Sequence, residues 1–116
     1  MTFGDHVRAL RIAKGISLRE LSRRAGIESS YLSKIERGAY DTKPPGEQRI
    51  LDLARELEED PDVLLAMAGK MSADLHAIVL SNPQAFASLL RQLKGAPERT
   101  IKHVEHVARE VKDGEW

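Results

Sequence analysis

The sequence predicts an all-α chain: five short helices in one unit, followed by a carboxy-terminal helical appendage of about three. Three observations carry that reading. Apolar residues recur at helical spacings of three and four along the whole chain. No window alternates β-branched and polar residues as a half-buried strand would. Glycine or proline stands at almost every place where one period stops and the next begins.

The first segment spaces Phe3, Val7 and Leu10 at i, i+4, i+7 and closes on Gly15, where a left-handed residue is wanted. Ser17 followed by Glu20 fits a capping box, opening a short helix with Leu18, Leu21 and Ala25 that Gly26 breaks. After the turn Gly26-Ile27-Glu28, Ser29 or Ser30 is placed to cap a third helix, which carries Leu32 and Ile35 and ends at Gly38. Pro44-Pro45-Gly46 makes a loop. The fourth helix sets Ile50, Leu53, Ala54 and Leu57 on one stripe and stops at Glu58-Glu59-Asp60. Asp60 and Pro61 are a cap and first-turn pair for a fifth helix through Val63, Leu64 and Ala68, closed by Gly69.

Ser72 starts a sixth helix with Leu75, Ile78 and Val79. Asn82-Pro83 opens a seventh in the manner of Asp60-Pro61, with Phe86, Leu89, Leu90 and Leu93 facing inward and Gly95 as its stop. Pro97 begins the last, where Ile101, Val104, Ala108 and Val111 fall at spacings of three, four and three. The pattern resets between Ala66 and Met71, so the expected division is residues 1–70 and residues 71–116. No internal repeat or low-complexity segment interrupts it.

Length and composition bound the functions open to such a chain. With 116 residues it makes one domain, or one small domain with an appendage. The absence of cysteine removes disulfides, a thiol nucleophile and any zinc site built on thiolates. The longest apolar stretch, 63–69, falls far short of the roughly 20 residues of a membrane helix. The first residues, Met-Thr-Phe-Gly-Asp-His, have neither the basic lead nor the apolar core of a secretory signal, and the expected compartment is the cytoplasm.

Eighteen basic and eighteen acidic side chains cancel overall, but not locally. Residues 1–43 carry nine basic against five acidic groups, a balance of +4, whereas residues 44–70 carry three against seven, a balance of −4. Residues 71–116 carry six of each. A split of this kind turns one face toward a polyanion while the rest keeps the whole neutral.

Two short helices joined by a turn bind DNA when the second is free to enter the major groove while the first braces it across the backbone. Such packing needs small residues on the first helix, a glycine turn, and apolar residues at fixed places on the second. Leu21, Ser22 and Ala25, then Gly26, then Ile27, Leu32 and Ile35 meet those needs. The stretch from Val7 to Gly38, with Gly15-Ile16-Ser17, Glu20-Leu21-Ser22, Ala25-Gly26-Ile27 and Ile35-Glu36-Arg37-Gly38, resembles the Cro/C1-type helix-turn-helix family, also called the XRE family or lambda-repressor-like domains. The resemblance runs on through the Asp60-Pro61 helix.

That resemblance implies a five-helix DNA-binding domain whose third helix, residues 29–37, reads base edges. Its groove-facing positions correspond here to Glu28, Ser29, Ser30, Ser33 and Lys34. Serine hydroxyls donate or accept and so tolerate several bases, while lysine can reach guanine O6 or N7. Arg19, Arg23, Tyr31, Arg37 and Lys43 are assigned to phosphates, which position the domain without specifying sequence. Glu36 is expected to be structural, paired with an arginine or with nearby backbone. Leu18 stands where many family members place a DNA-contacting glutamine, which leaves Arg19 as the substitute. Ser22 stands in place of the usual alanine.

The expected function is a sequence-specific regulator, a repressor, acting on a palindromic operator in double-stranded DNA. The seventh and eighth helices carry apolar stripes too long to hide in one another, so a homodimer built mainly on residues 72–111 is expected, the alternative being that these helices complete a monomer's core. Two rivals remain: an antitoxin-like autoregulator that also holds a toxin through these helices, and a protein-interaction module without DNA binding. His103, His106 and Glu110 share a helical face that could touch a divalent metal, but no fourth ligand or general base accompanies them. No metal, cofactor or catalytic set is expected.

Overall fold

The structure is a computed structural model in which residues 1–114 are described. Among these residues there are eight α-helices and no strands: α1 (Phe3–Ala13), α2 (Leu18–Ala25), α3 (Ser29–Glu36), α4 (Glu47–Leu57), α5 (Pro61–Met67), α6 (Ala73–Ser81), α7 (Pro83–Leu93) and α8 (Glu98–Lys112). The chain divides into two compact units, Met1–Ala73 and a second that begins at Asp74.

The first unit closes around one apolar cluster. Phe3 and Val7 of α1, Leu21 and Ala25 of α2, Leu32 and Ile35 of α3, Ile50, Leu53, Ala54 and Leu57 of α4, and Leu64 and Leu65 of α5 are all buried, with Ile27 and Ala68 beside them. The boundaries follow local chemistry. Thr2 and Ser17 cap α1 and α2 by accepting from the backbone N–H groups of Asp5 and Glu20, at 3.2 and 3.0 Å. Asp60 accepts from the Asp62 N–H at 2.9 Å, with Pro61 in the first turn of α5. At the α2–α3 turn Gly26 takes φ 68°, and the Ile27 N–H folds back to the Ser22 carbonyl at 3.0 Å. Ser22 is buried and its hydroxyl donates to the Ile27 carbonyl, so the serine both fits the close helix approach and ties the turn.

Several expectations need correction. The capping box at Ser17 is only half formed, because the Glu20 carboxylate turns to Arg23 and Arg24 instead of back to Ser17. Neither Ser29 nor Ser30 caps α3: Glu28 occupies the cap position without a side-chain bond, and both serines lie inside the first turn. Asn82 stands at the cap of α7 yet makes no capping bond, its side chain donating to Ser81 Oγ instead. Leu89 and Leu90 do not face inward, being 37 % and 62 % exposed.

The second unit has helices but no buried residue among those described. Its ion pairs Lys102–Glu98 and Arg109–Glu105 are exposed i, i+4 pairs along α8, and His106–Glu110 is an i, i+4 pair in which Glu110 is half-buried. No helix among the described residues is long and apolar enough to cross a membrane.

Candidate nucleic-acid interface

α3 is two-sided. Leu32, Ile35 and Glu36 point into the first unit and are buried, while Glu28, Ser29, Ser30, Lys34 and Arg37 are exposed and Ser33 is half-buried. The helical period sets positions 30, 33, 34 and 37 on the side away from the core-facing 32 and 35, while Ser29, on the same stripe as Glu36 seven residues later, is exposed at the first position of the helix. All five base-edge candidates therefore gather along the outer face of α3 and its entry turn.

The inner face is fastened in two ways. Glu36, only 7 % exposed, receives both Nε and Nη2 of Arg11 at 2.8 and 3.0 Å, and Arg11 Nη1 also donates to the Ile16 carbonyl at 3.0 Å. This forked pair joins α1 to the end of α3 and raises the Arg11 pKa, chiefly through the Glu36 hydrogen bond. Glu36 is thus structural, as expected. The second fastening is at Gly4, whose N–H donates to Asp41 Oδ1 at 3.0 Å. A Cβ at Gly4 would collide with the Ile35 carbonyl oxygen, so α1 passes α3 at a distance only glycine permits.

The phosphate candidates divide into three settings. Arg19 and Lys43 are exposed. Arg37 is exposed and bends its Nε back to the Ser33 carbonyl at 3.3 Å. Arg23 is also exposed, but it shares Glu20 with Arg24: Arg23 Nη2 and Arg24 Nε approach Glu20 Oε1 at 2.5 and 2.9 Å. The hydrogen bonds from Arg23 and then Arg24 hold the Glu20 carboxyl down at about 2, and the same contact raises the Arg23 pKa. Tyr31 is half-buried, stacked on Tyr40 with ring centroids 4.8 Å apart and with the Arg49 guanidinium 5.1 Å above its own ring. Its ring belongs to that stack, leaving the hydroxyl as its polar end.

Two cations were not legible from spacing. Arg49 sits over Tyr31 although 18 residues separate them in sequence. Arg8 lines an open cleft of about 450 Å³ together with Asp5, Leu18, Ser33, Arg37 and the Arg11–Glu36 pair. Leu18, at the position where the family resemblance places a DNA-contacting glutamine, is half-buried and packs against the apolar cluster. His106 Nε2 meets Glu110 Oε1 at 2.7 Å, and no group of three or more potential ligands gathers among the described residues.

A braced helix pair with one polar, cationic face left open defines a helix-turn-helix DNA-binding fold. The model of the helix-turn-helix domain family matches residues 2–67, and the chain belongs to that family. The family is one of DNA-binding proteins rather than of enzymes.

Particular relatives sharpen this. The chain is 38 % identical over 99 residues to the uncharacterised HTH-type transcriptional regulator y4dL of Sinorhizobium fredii, covering 82 % of this chain and 47 % of that protein. It therefore spans about half the length of that relative. It is 32 % identical over 85 residues to the transcriptional regulator ClgR of Mycobacterium tuberculosis, covering 73 % of each. Among solved structures, a chain of the SinR protein/SinI protein complex shares the fold with a TM-score of 0.53 at 22 % identity, over 97 % of this chain and 99 % of that one.

Proposed function

We propose that the chain is a sequence-specific transcriptional regulator of the Cro/C1 type that represses as a homodimer, with α3 of each copy in the major groove of one half-site. In this reading residues 1–70 bind DNA and residues 71–116 bring two copies together. Glu28, Ser29, Ser30, Ser33 and Lys34 address base edges; Arg19, Arg23, Tyr31, Arg37 and Lys43 hold phosphates.

The observation that carries the reading is the open face of α3, rigidly backed by the Arg11–Glu36 pair and by the apolar cluster. Short hydroxyls and one lysine make a thin reading head, so DNA shape contributes to selectivity beside direct contacts. A single domain of this kind binds weakly, and two copies address half-sites about one helical turn, roughly 34 Å, apart. The regulators y4dL and ClgR support the same assignment by kinship.

Selection of binding sites from a random duplex pool tests it. The expected product is a palindrome whose affinity falls roughly 10³- to 10⁵-fold between 50 and 200 mM salt, as six to ten phosphate contacts require. A reporter whose promoter overlaps the selected site should be silenced. Absence of salt-sensitive binding to any duplex overturns the regulator reading and leaves a protein-interaction module.

A further inference from the structure

The helices of the second unit carry large apolar side chains, and none of its described residues is buried. Leu75, Ile78, Leu80, Leu89, Leu90, Ile101 and Val111 are all more than a third exposed, although this unit starts only at Asp74. Large apolar side chains left this exposed along helices mark a surface for association, and without cysteine no disulfide serves in its place.

The sequence of α8 says which partner fits and how. Ile101, Val104, Ala108 and Val111 occupy alternating core positions of a heptad along its 15 residues, with Ile101 and Val111 about half exposed. Glu98, Glu105 and Lys112 follow one another at seven-residue intervals along one edge of that stripe, and Val107 lies on the other edge. In an antiparallel pair like edges face each other. Glu98 then meets Lys112 of the second chain twice, Ile101 meets Val111, Val104 meets Ala108, and Val107 meets itself. Glu105 would meet its own copy at the middle, where the Arg109 Nη2 bonded to it supplies the balancing charge. In a parallel pair the edge positions that meet are Thr100 with Glu105 and Val107 with Lys112, and no charge pair forms.

We propose that α8 packs antiparallel against α8 of a second copy of this chain, in the register that sets Ile101 against Val111 and Glu98 against Lys112. The proposal rests on the dimeric reading above and specifies its seam.

The absence of cysteine permits a direct test in the full chain. Single-cysteine variants Ile101→Cys and Val111→Cys are mixed and oxidised. The mixture should give a cross-linked heterodimer. Ile101→Cys alone should give none, because its two copies stand about 15 Å apart at 1.5 Å of rise per residue, beyond the reach of a disulfide. Glu98→Lys should weaken the dimer roughly three- to thirty-fold in sedimentation, and Glu98→Lys with Lys112→Glu should restore it. Both substitutions lie on exposed positions of α8.

Self-cross-linking of Ile101→Cys overturns the antiparallel register, as does a dimer whose mixed variants fail to link. A chain that sediments as a monomer and still binds DNA overturns both the seam and the dimer, and gives the face to a different protein. Cross-linking without binding to any duplex keeps the seam and removes the regulator reading, so the two failures are distinct.

Discussion

Residues 3–68 and the helices from Asp74 onward carry apolar stripes of the same period, yet only the first set is buried. The ion pairs differ in the same sense. In the first unit the side chains of Arg11 and Glu36 are 14 % and 4 % exposed, whereas the side chains of Lys102 and Glu98 in the second are 72 % and 80 % exposed. A stripe at helical spacing tells which side of a helix is apolar. It does not tell what will lie against that side, and so identical patterns end in a closed core in one region and an uncovered face in the other.

The largest effects that test this contrast come from the two kinds of ion pair. Arg11→Ala leaves the Glu36 carboxylate buried and unpaired and should destabilise the first unit by about 3–5 kcal/mol in urea unfolding. Lys102→Ala, in exposed α8, should change stability by less than about 1 kcal/mol. Equal losses at the two sites would mean that the second unit has a hidden core after all. The apolar version gives the next effect: Leu53→Ala, at a position with no exposure, should cost about 2–5 kcal/mol through transfer and cavity terms. Leu90→Ala, 62 % exposed, should leave the unfolding of the isolated chain nearly unchanged and act instead on association.

How much of this was legible depends on how far apart the cooperating residues lie. Helix ends were readable because one residue decides them locally: the Gly26 turn, the Ser17 cap and the Asp60-Pro61 start all stand where the sequence places them. The outer face of α3 was readable for the same reason, since Leu32 and Ile35 fix which side turns inward. Contacts between distant residues were not. No local pattern links Gly4 to Asp41, Arg11 to Glu36 or Arg49 to Tyr31, and each depends on the finished packing. The serines at 29 and 30 show the limit even at short range. Their capping propensity was real, but the turn set by Gly26 starts α3 one residue earlier than a serine cap requires, and both side chains are left on the open face.

That open face sets the next prediction, smaller than the losses above. Lys34→Ala should cost about 1–3 kcal/mol for the selected site and much less for unrelated duplexes, read by competition binding. Arg37→Ala should weaken all sequences about equally and reduce the salt slope by about one. Equal losses of specific and non-specific binding in Lys34→Ala would move that lysine among the phosphate contacts, and unchanged affinity in Arg37→Ala would turn its side chain away from DNA.

The smallest expected effect lies at Glu20, where a carboxylate competes with phosphate for Arg23 and Arg24. A pKa depressed to about 2 means that the interaction is present above the ordinary carboxylate range near 4.5 and is lost only as pH falls toward 2. At neutral pH both arginines are therefore engaged before DNA arrives, and any phosphate contact by Arg23 must be made in competition with Glu20. Glu20→Gln removes the competitor while the Ser17 cap, which uses the Glu20 backbone N–H, stays intact. The variant should bind every duplex a few-fold more tightly and steepen the salt dependence by up to two phosphate contacts. An unchanged slope would show that Arg23 and Arg24 do not reach the backbone even when released, leaving Arg19, Arg37 and Lys43 as the cations that anchor α3.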